Sequence, residues 1–290
     1  MNPTTVRFGT MMFLEYVIWG SWLPLLALYL SDVLGFSGGQ IGWIFATQAV
    51  ACVVALFAGG QAADRLMSTE KLLALCHAIG GTAMFALAWQ SAFWPFFAIM
   101  LVYQLAFIPT LSLTNVILFR HVSDARSEFG TIRLWGTIGW IAASWPFVFI
   151  LAGKAGAELH AALGSIFVVA GLASYALAAF SLTLPATPPA RDAPARNAPL
   201  AAIRLLAVPS IFVLFVVTFI DALVHQCYFQ WTSPFLERAG LAANWIMPAM
   251  SIGTSASCRP TAFSSTETQL HKLGVRTWTR EGFSVPLLLI

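Results

Sequence analysis

The feature that most constrains this chain is a series of apolar runs, each long enough to cross a lipid bilayer. A helix rises 1.5 Å per residue, so about 20 apolar residues are needed to cross roughly 30 Å of hydrocarbon. Runs of that order occupy Phe8–Leu30, Ile41–Ala63, Leu72–Trp89, Phe93–Phe119, Ile132–Ala152, Ala161–Leu184 and Ile211–Trp231, and another begins at Trp245 and stops near Gly253. Only helices suit such runs in lipid, because an open sheet edge would leave backbone polar groups unsatisfied. The first run is too long for the apolar core of a signal peptide and lacks an A-x-A-like cleavage site, so it reads as a span. The expected fold class is therefore all-α, a polytopic membrane protein.

Composition agrees. Hydrophobic residues make up 59% and charged residues 9%, where a soluble domain carries about a quarter of its residues as charges. Four Cys without a CxxC spacing exclude a secreted disulfide scaffold. A net charge of +3 scattered between apolar runs excludes a nucleic-acid partner. His77, His121, His160 and His271 have no ligand partners at useful spacing, so no metal is expected. GxSxG, HExxH, Walker and GxGxxG patterns are absent, which argues against an enzyme and against a cofactor.

Short-loop charges orient the chain. Arg7, Arg65, Lys71, Arg120, Arg126, Arg133, Arg191, Arg196 and Arg204 fall on one side, against Lys154 and Arg238 on the other. By the positive-inside rule the N-terminus is cytoplasmic, in the cytoplasmic (inner) membrane. Two segments interrupt the pattern. Pro185–Pro199 packs five prolines into fifteen residues and reads as an extended cytoplasmic linker. Residues 254–290 contain six charges and eleven Ser or Thr, with no run long enough to span. The expected organisation is a six-helix bundle over 1–184, a linker over 185–208, the start of a second bundle over 209–253, and an atypical tail over 254–290.

Polar groups inside the spans carry the functional reading, since a charge at the bilayer midplane costs about 2.5–3.5 kcal/mol on insertion scales. Glu15, Trp19 and Trp22 fall at i, i+4 and i+7, placing an acid beside two indoles on one helix face. That reads as a titratable group by a stackable aromatic wall, or equally as an interfacial Trp belt with Glu15 paired to a neighbouring helix. Arg133, Thr137, Trp140 and Ser144 form a polar stripe in the fifth span, suited to a cavity and a polar solute; the alternative is an arginine snorkelling to the interface. Asp221 and His225 at i, i+4 suit a proton relay or a neutralised structural ion pair. In the fourth span Gln104, Leu111 and Asn115 share a face, and Pro109 is expected to loosen the helix there.

The loop after span two reads Gly60-Gln61-Ala62-Ala63-Asp64-Arg65, and it resembles the G-x-x-x-D-R/K signature of the major facilitator superfamily. Within that superfamily, Phe13–Leu23 (FLEYVIWGSWL), Ile108–Asn115 (IPTLSLTN) and Ile132–Trp140 (IRLWGTIGW) resemble the nucleoside:proton symporter family. The resemblance implies two six-helix halves, alternating access, and uptake of nucleoside together with a proton. It also implies that Asp64 and Arg65 serve the conformational switch. Arg133 and Thr137 become substrate contacts with Trp140 on the same face, and Gln226 matches a glutamine that contacts nucleoside. Phe229 stands where the family usually has Asn, and Glu15 where members can carry a neutral amide. Substrate candidates are thus Arg133, Thr137, Trp140, Gln226, Trp19 and Trp22, and proton-coupling candidates are Glu15, Asp221 and His225.

Twelve spans with loops need about 350–420 residues. The chain is therefore expected to be truncated in its second half and weak in transport alone, with 254–290 out of frame or foreign. A monomer is expected, with a dimer as the alternative. The rival readings are transport of another polar solute, such as a sugar, and a non-transporting membrane fragment.

Overall fold

The computed structural model describes residues 3–65, 67–122, 125–188 and 205–257, with side-chain surroundings within 4–55, 67–122, 128–188 and 205–251. Every regular element there is helical: α1 (Pro3–Leu28), α2 (Gly38–Arg65), α3 (Thr69–Leu87), α4 (Phe93–His121), α5 (Ala125–Ala142), α6 (Trp145–Ile150), α7 (Gly156–Leu163), α8 (Ser165–Ser181), α9 (Pro209–Arg238) and α10 (Ala243–Ser257). A π-helical turn, Tyr29–Val33, prolongs α1. Among the described residues six helical stretches are long and apolar enough to span, the second of them over Gly38–Ala55.

The fifth expected span departs from a single rod. Ala143 N–H still reaches Gly139 O (2.9 Å), Ser144 N–H shortens to Ile141 O (3.1 Å), and Pro146 then offers no donor. The chain breaks there into α5 and α6. The sixth span is likewise two pieces, α7 and α8, joined at Gly164. Pro109, by contrast, does not interrupt α4, which runs unbroken from Phe93 to His121.

Helix α1 packs against α5 and α8, α3 against α4 and α8, and α2 against α4. In lipid these contacts rest on close packing more than on apolar burial, so small residues sit at the crossings. A Cβ on Gly81 would lie 3.2 Å from Gly171 O, and one on Gly171 would lie 3.3 Å from Gly81 O, which sets the α3–α8 distance. At the α1–α5 crossing the hydrogens of Gly139 face the Phe13 carbonyl directly. The outward faces are apolar, as lipid demands. On α9 Phe212, Phe215, Phe219 and Leu223 are all exposed.

The segment leaving α8 is tied back to the bundle before the linker proper. Thr69 N–H donates to Thr187 O (3.0 Å), Thr187 N–H donates to Glu70 Oε2 (2.8 Å), and Arg120 Nη1 donates to Pro188 O (2.5 Å). Glu70 is buried, and removing it strands the Thr187 donor. Glu70→Ala is expected to cost about 1–3 kcal/mol, read as a lower melting temperature of the purified protein in detergent. Linker residues 189–204 and tail residues 258–290 lie outside the described residues. So do the side chains of Asp64 and Arg65, whose backbone ends α2.

Candidate functional site

Helical periodicity puts Glu15, Trp19 and Trp22 on one side of α1, and packing then divides their tasks. Trp19 meets the ring of Trp140 edge-on at 5.9 Å and that of Phe107 at 6.1 Å. Trp140 in turn meets Phe229 of α9 at 5.5 Å. Arg133, about two turns earlier on α5, holds its guanidinium carbon 4.2 Å from the centroid of Tyr16, a cation–π contact. Tyr16 lies 6.1 Å from Trp19. The result is one continuous strip, Arg133–Tyr16–Trp19–Trp140–Phe229, shared by α1, α5 and α9. It sets a rigid donor fork at one end of a run of aromatic rings, of which Trp19, Trp140 and Phe229 are buried between the helices. Thr137 is half-buried on the same side of α5, and Ser144 is buried, its hydroxyl turned to Ile141 O (2.7 Å).

Glycine shapes the Arg133 end. A Cβ on Gly136 would approach both the Arg133 guanidinium and the Tyr16 ring to 2.8 Å, so the stacked pair depends on a bare backbone there. Arg133 is half-buried, and its guanidinium lies over the Tyr16 ring of α1.

Trp22 does not join the strip. Its indole N–H donates to Tyr103 Oη at 2.9 Å, the rings meet edge-on at 5.5 Å, and the side chain is 1% exposed. With Trp19 also buried, the two indoles are interior groups and not an interfacial belt. Trp22→Phe is expected to lose this buried hydrogen bond and about 1–3 kcal/mol of stability. Melting curves of the purified protein in detergent check that expectation.

Glu15 also turns inward. Its carboxylate is 0% exposed, with Oε2 at 2.9 Å from His77 Nε2 and Oε1 accepting the Thr110 hydroxyl at 2.6 Å. His77 on α3 is a residue that sequence reasoning set aside for want of partners nearby in the chain. Its partners are Glu15 and Ser174, 62 and 97 residues away, and no local spacing signals them.

On α9, Gln226 Nε2 donates to Gln48 Oε1 of α2 at 3.3 Å. Its own Oε1 is buried without a partner among the described residues, leaving an acceptor available beside the strip. Gln48 was not foreseen. Asp221 and His225 make no ion pair: Asp221 is exposed and His225 packs on Phe229 at 4.7 Å, while Asp221 lies near enough for its charge to reach His225. Among the described residues the ion pair is Glu15–His77, and no three His, Cys, Asp or Glu gather as a metal site. On α4, Asn115 donates to Leu111 O (2.6 Å), while Gln104 Oε1 and Asn115 Oδ1 are buried without partners among the described residues.

Comparison with known proteins identifies the fold and the family. A crystal structure of a mutant of nucleoside transporter NupG superposes with a TM-score of 0.76 at 27% identity, covering 94% of this chain and 69% of that one. The Escherichia coli (strain K12) protein named "Putative nucleoside transporter YegT" is 34% identical over 248 residues, 84% of this chain and 58% of the relative. Xanthosine permease of the same strain is 32% identical over 187 residues, 63% of this chain and 43% of the relative. The chain thus spans less than two thirds of the length of these two relatives. The helical bundle is that of a major facilitator superfamily membrane protein. The family model described as Nucleoside H+ symporter matches residues 1–274, and the chain belongs to that family, a family of transporters and not of enzymes.

Proposed function

We propose that the chain binds nucleosides on the Arg133–Trp140 strip and carries them inward across the cytoplasmic membrane by alternating access, driven by protons. In this reading the N-terminus is cytoplasmic. The observation that carries it is the stacking of Arg133 on an aromatic run within a chain of this family. A nucleoside presents a flat base and a set of ribose hydroxyls. Trp19 and Trp140 supply apolar faces for the base, and Arg133, Thr137 and Gln226 supply donors and acceptors for the polar edges. Glu15, Asp221 and His225 are the ionisable groups of spans one and seven that would take the proton. Asp64 and Arg65, at the end of α2, would serve the conformational switch.

Reconstituted protein tests this directly. Uridine uptake driven by an inward proton gradient, competed by other nucleosides and not by sugars, is the expected result. Competition by sugars with indifference to nucleosides would overturn the substrate class. Uptake unaffected by collapsing the gradient would overturn the coupling.

A further inference from the structure

Beneath the strip, four helices meet at one buried polar cluster whose hydrogen bonds leave only certain protonation states open. The Ser174 hydroxyl has a single proton and two neighbours, the His77 carbonyl at 2.8 Å and His77 Nδ1 at 3.3 Å. With that proton on the nearer carbonyl, Nδ1 is the donor to the Ser174 oxygen. Nδ1 then holds a proton, and Nε2 is the nitrogen that faces Glu15 at 2.9 Å. At that distance a proton must lie between Nε2 and Oε2, because a bare nitrogen and a bare carboxylate repel. The pair then carries one exchangeable proton and is neutral overall, which is the cheapest state for a site exposed to 0–1%.

Thr110 opens a second state. Its Oγ1 lies 2.6 Å from Glu15 Oε1 and 2.5 Å from Phe107 O, so the hydroxyl can turn between two acceptors. When it donates to Phe107 O, its oxygen is free to accept a proton from Glu15 Oε1. The cluster then holds Nε2–H donating to Oε2 and Oε1–H donating to Thr110, with every donor and acceptor matched. It has gained one proton and one positive charge, and no heavy atom has moved.

We propose that Glu15, His77, Thr110 and Ser174 form a proton-binding site that passes between a neutral state and a singly cationic state. Its place in transport rests on the proton-coupled reading above, whereas the binding itself does not. The site lies next to the strip: Phe107 is 6.2 Å from His77 and 6.1 Å from Trp19. The other titratable groups on the elements around it are few. Cys76 on α3 and Tyr103 on α4 lie near enough to sense the Glu15 charge. Tyr175 on α8 is turned to Thr82 (2.8 Å), and Arg133 on α5 is stacked on Tyr16. Because α1, α3, α4 and α8 each contribute one of the four side chains, a change of charge here acts on the packing of the whole bundle.

The test is proton uptake by the purified chain in detergent, without nucleoside, followed by a pH-indicator dye as a weakly buffered sample is taken between about pH 8 and pH 5. Wild type is expected to take up one proton more than Glu15→Gln or His77→Gln. Each substitution leaves the survivor buried without the opposite charge that its ionised form requires. Thr110→Val keeps the shape and removes the acceptor, so its uptake is expected to fall toward that of the two Gln variants. Equal uptake by wild type and by folded Glu15→Gln and His77→Gln overturns the site. If those two do not fold, undiminished uptake by Thr110→Val overturns it instead. Since nucleoside is absent, failure of the nucleoside reading leaves this result untouched. Conversely, a confirmed site with gradient-independent uptake would sink the coupling alone.

Discussion

Gly139→Leu is expected to leave almost no folded protein in the membrane. The reason is local and steric: a Cβ at this position would run into the backbone carbonyl of Phe13, and backbone, unlike a side-chain tip, has no rotamer to which it can retreat. The two helices would have to separate along their whole crossing, where Gly20 faces Trp140 O at 3.1 Å and Gly136 faces Tyr16 at 2.8 Å. Separation also unseats Arg133 from Tyr16 and Trp19 from Trp140. Overpacking of this kind costs about 1–3 kcal/mol even where neighbours can yield, and here they cannot. Gly139→Ala should fold poorly and Gly139→Leu not at all. Gly130, on the same helix, has open space around its Cβ position, so Gly130→Ala should be neutral, or stabilise by up to about 1 kcal/mol through helix propensity. Fluorescence-detected size exclusion after mild solubilisation reads all three. A monodisperse Gly139→Leu peak of wild-type height would show that the α1–α5 approach is not what this account claims.

Arg133→Ala is expected to have the largest effect on ligand binding. Hydrogen bonds to a charged group contribute about 1.5–3 kcal/mol, equivalent to about a 10- to 100-fold loss of affinity. The loss should appear as the disappearance of thermal protection by uridine, with the melting temperature of the free protein little changed. Arg133→Lys should recover only part of the protection. An ammonium is a point charge, without the planar fork and without the flat face that stacks on Tyr16. The control is Trp22→Phe, which lowers stability but keeps protection. If the two variants exchange these signatures, the strip has been assigned to the wrong tryptophan and the wrong end of the bundle.

Much of the architecture was legible in the residues. Apolar runs marked the spans because lipid leaves a helix no polar partners, and that constraint acts residue by residue. The fifth span was legible in position but not in form. The break before Trp145 follows from Pro146, whose missing N–H acts on a turn already shortened at Ser144. The site was partly legible. Arg133, Thr137 and Trp140 share a face because helical periodicity is local, and that periodicity survives folding. The same periodicity grouped Trp22 with Trp19, yet Trp22 points into the core, because Tyr103 on α4 offers its indole a hydroxyl. Asp221 and His225 have the right spacing, but His225 turns to Phe229. Spacing allows a contact and does not make it.

By itself, then, the sequence determined the solvent, the helical class, the family signature and the residues that share a helix face. All of these depend on the identity of residues within one or two turns of each other. Only the tertiary structure decided that Glu15 meets His77 across 62 residues, that Gln226 meets Gln48 across 178, and that Arg133 stacks on Tyr16. Those pairings depend on how closely two helices approach and at what rotation. Both are governed by glycines such as Gly139 and Gly136, which meet groups on another helix that no local pattern foretells.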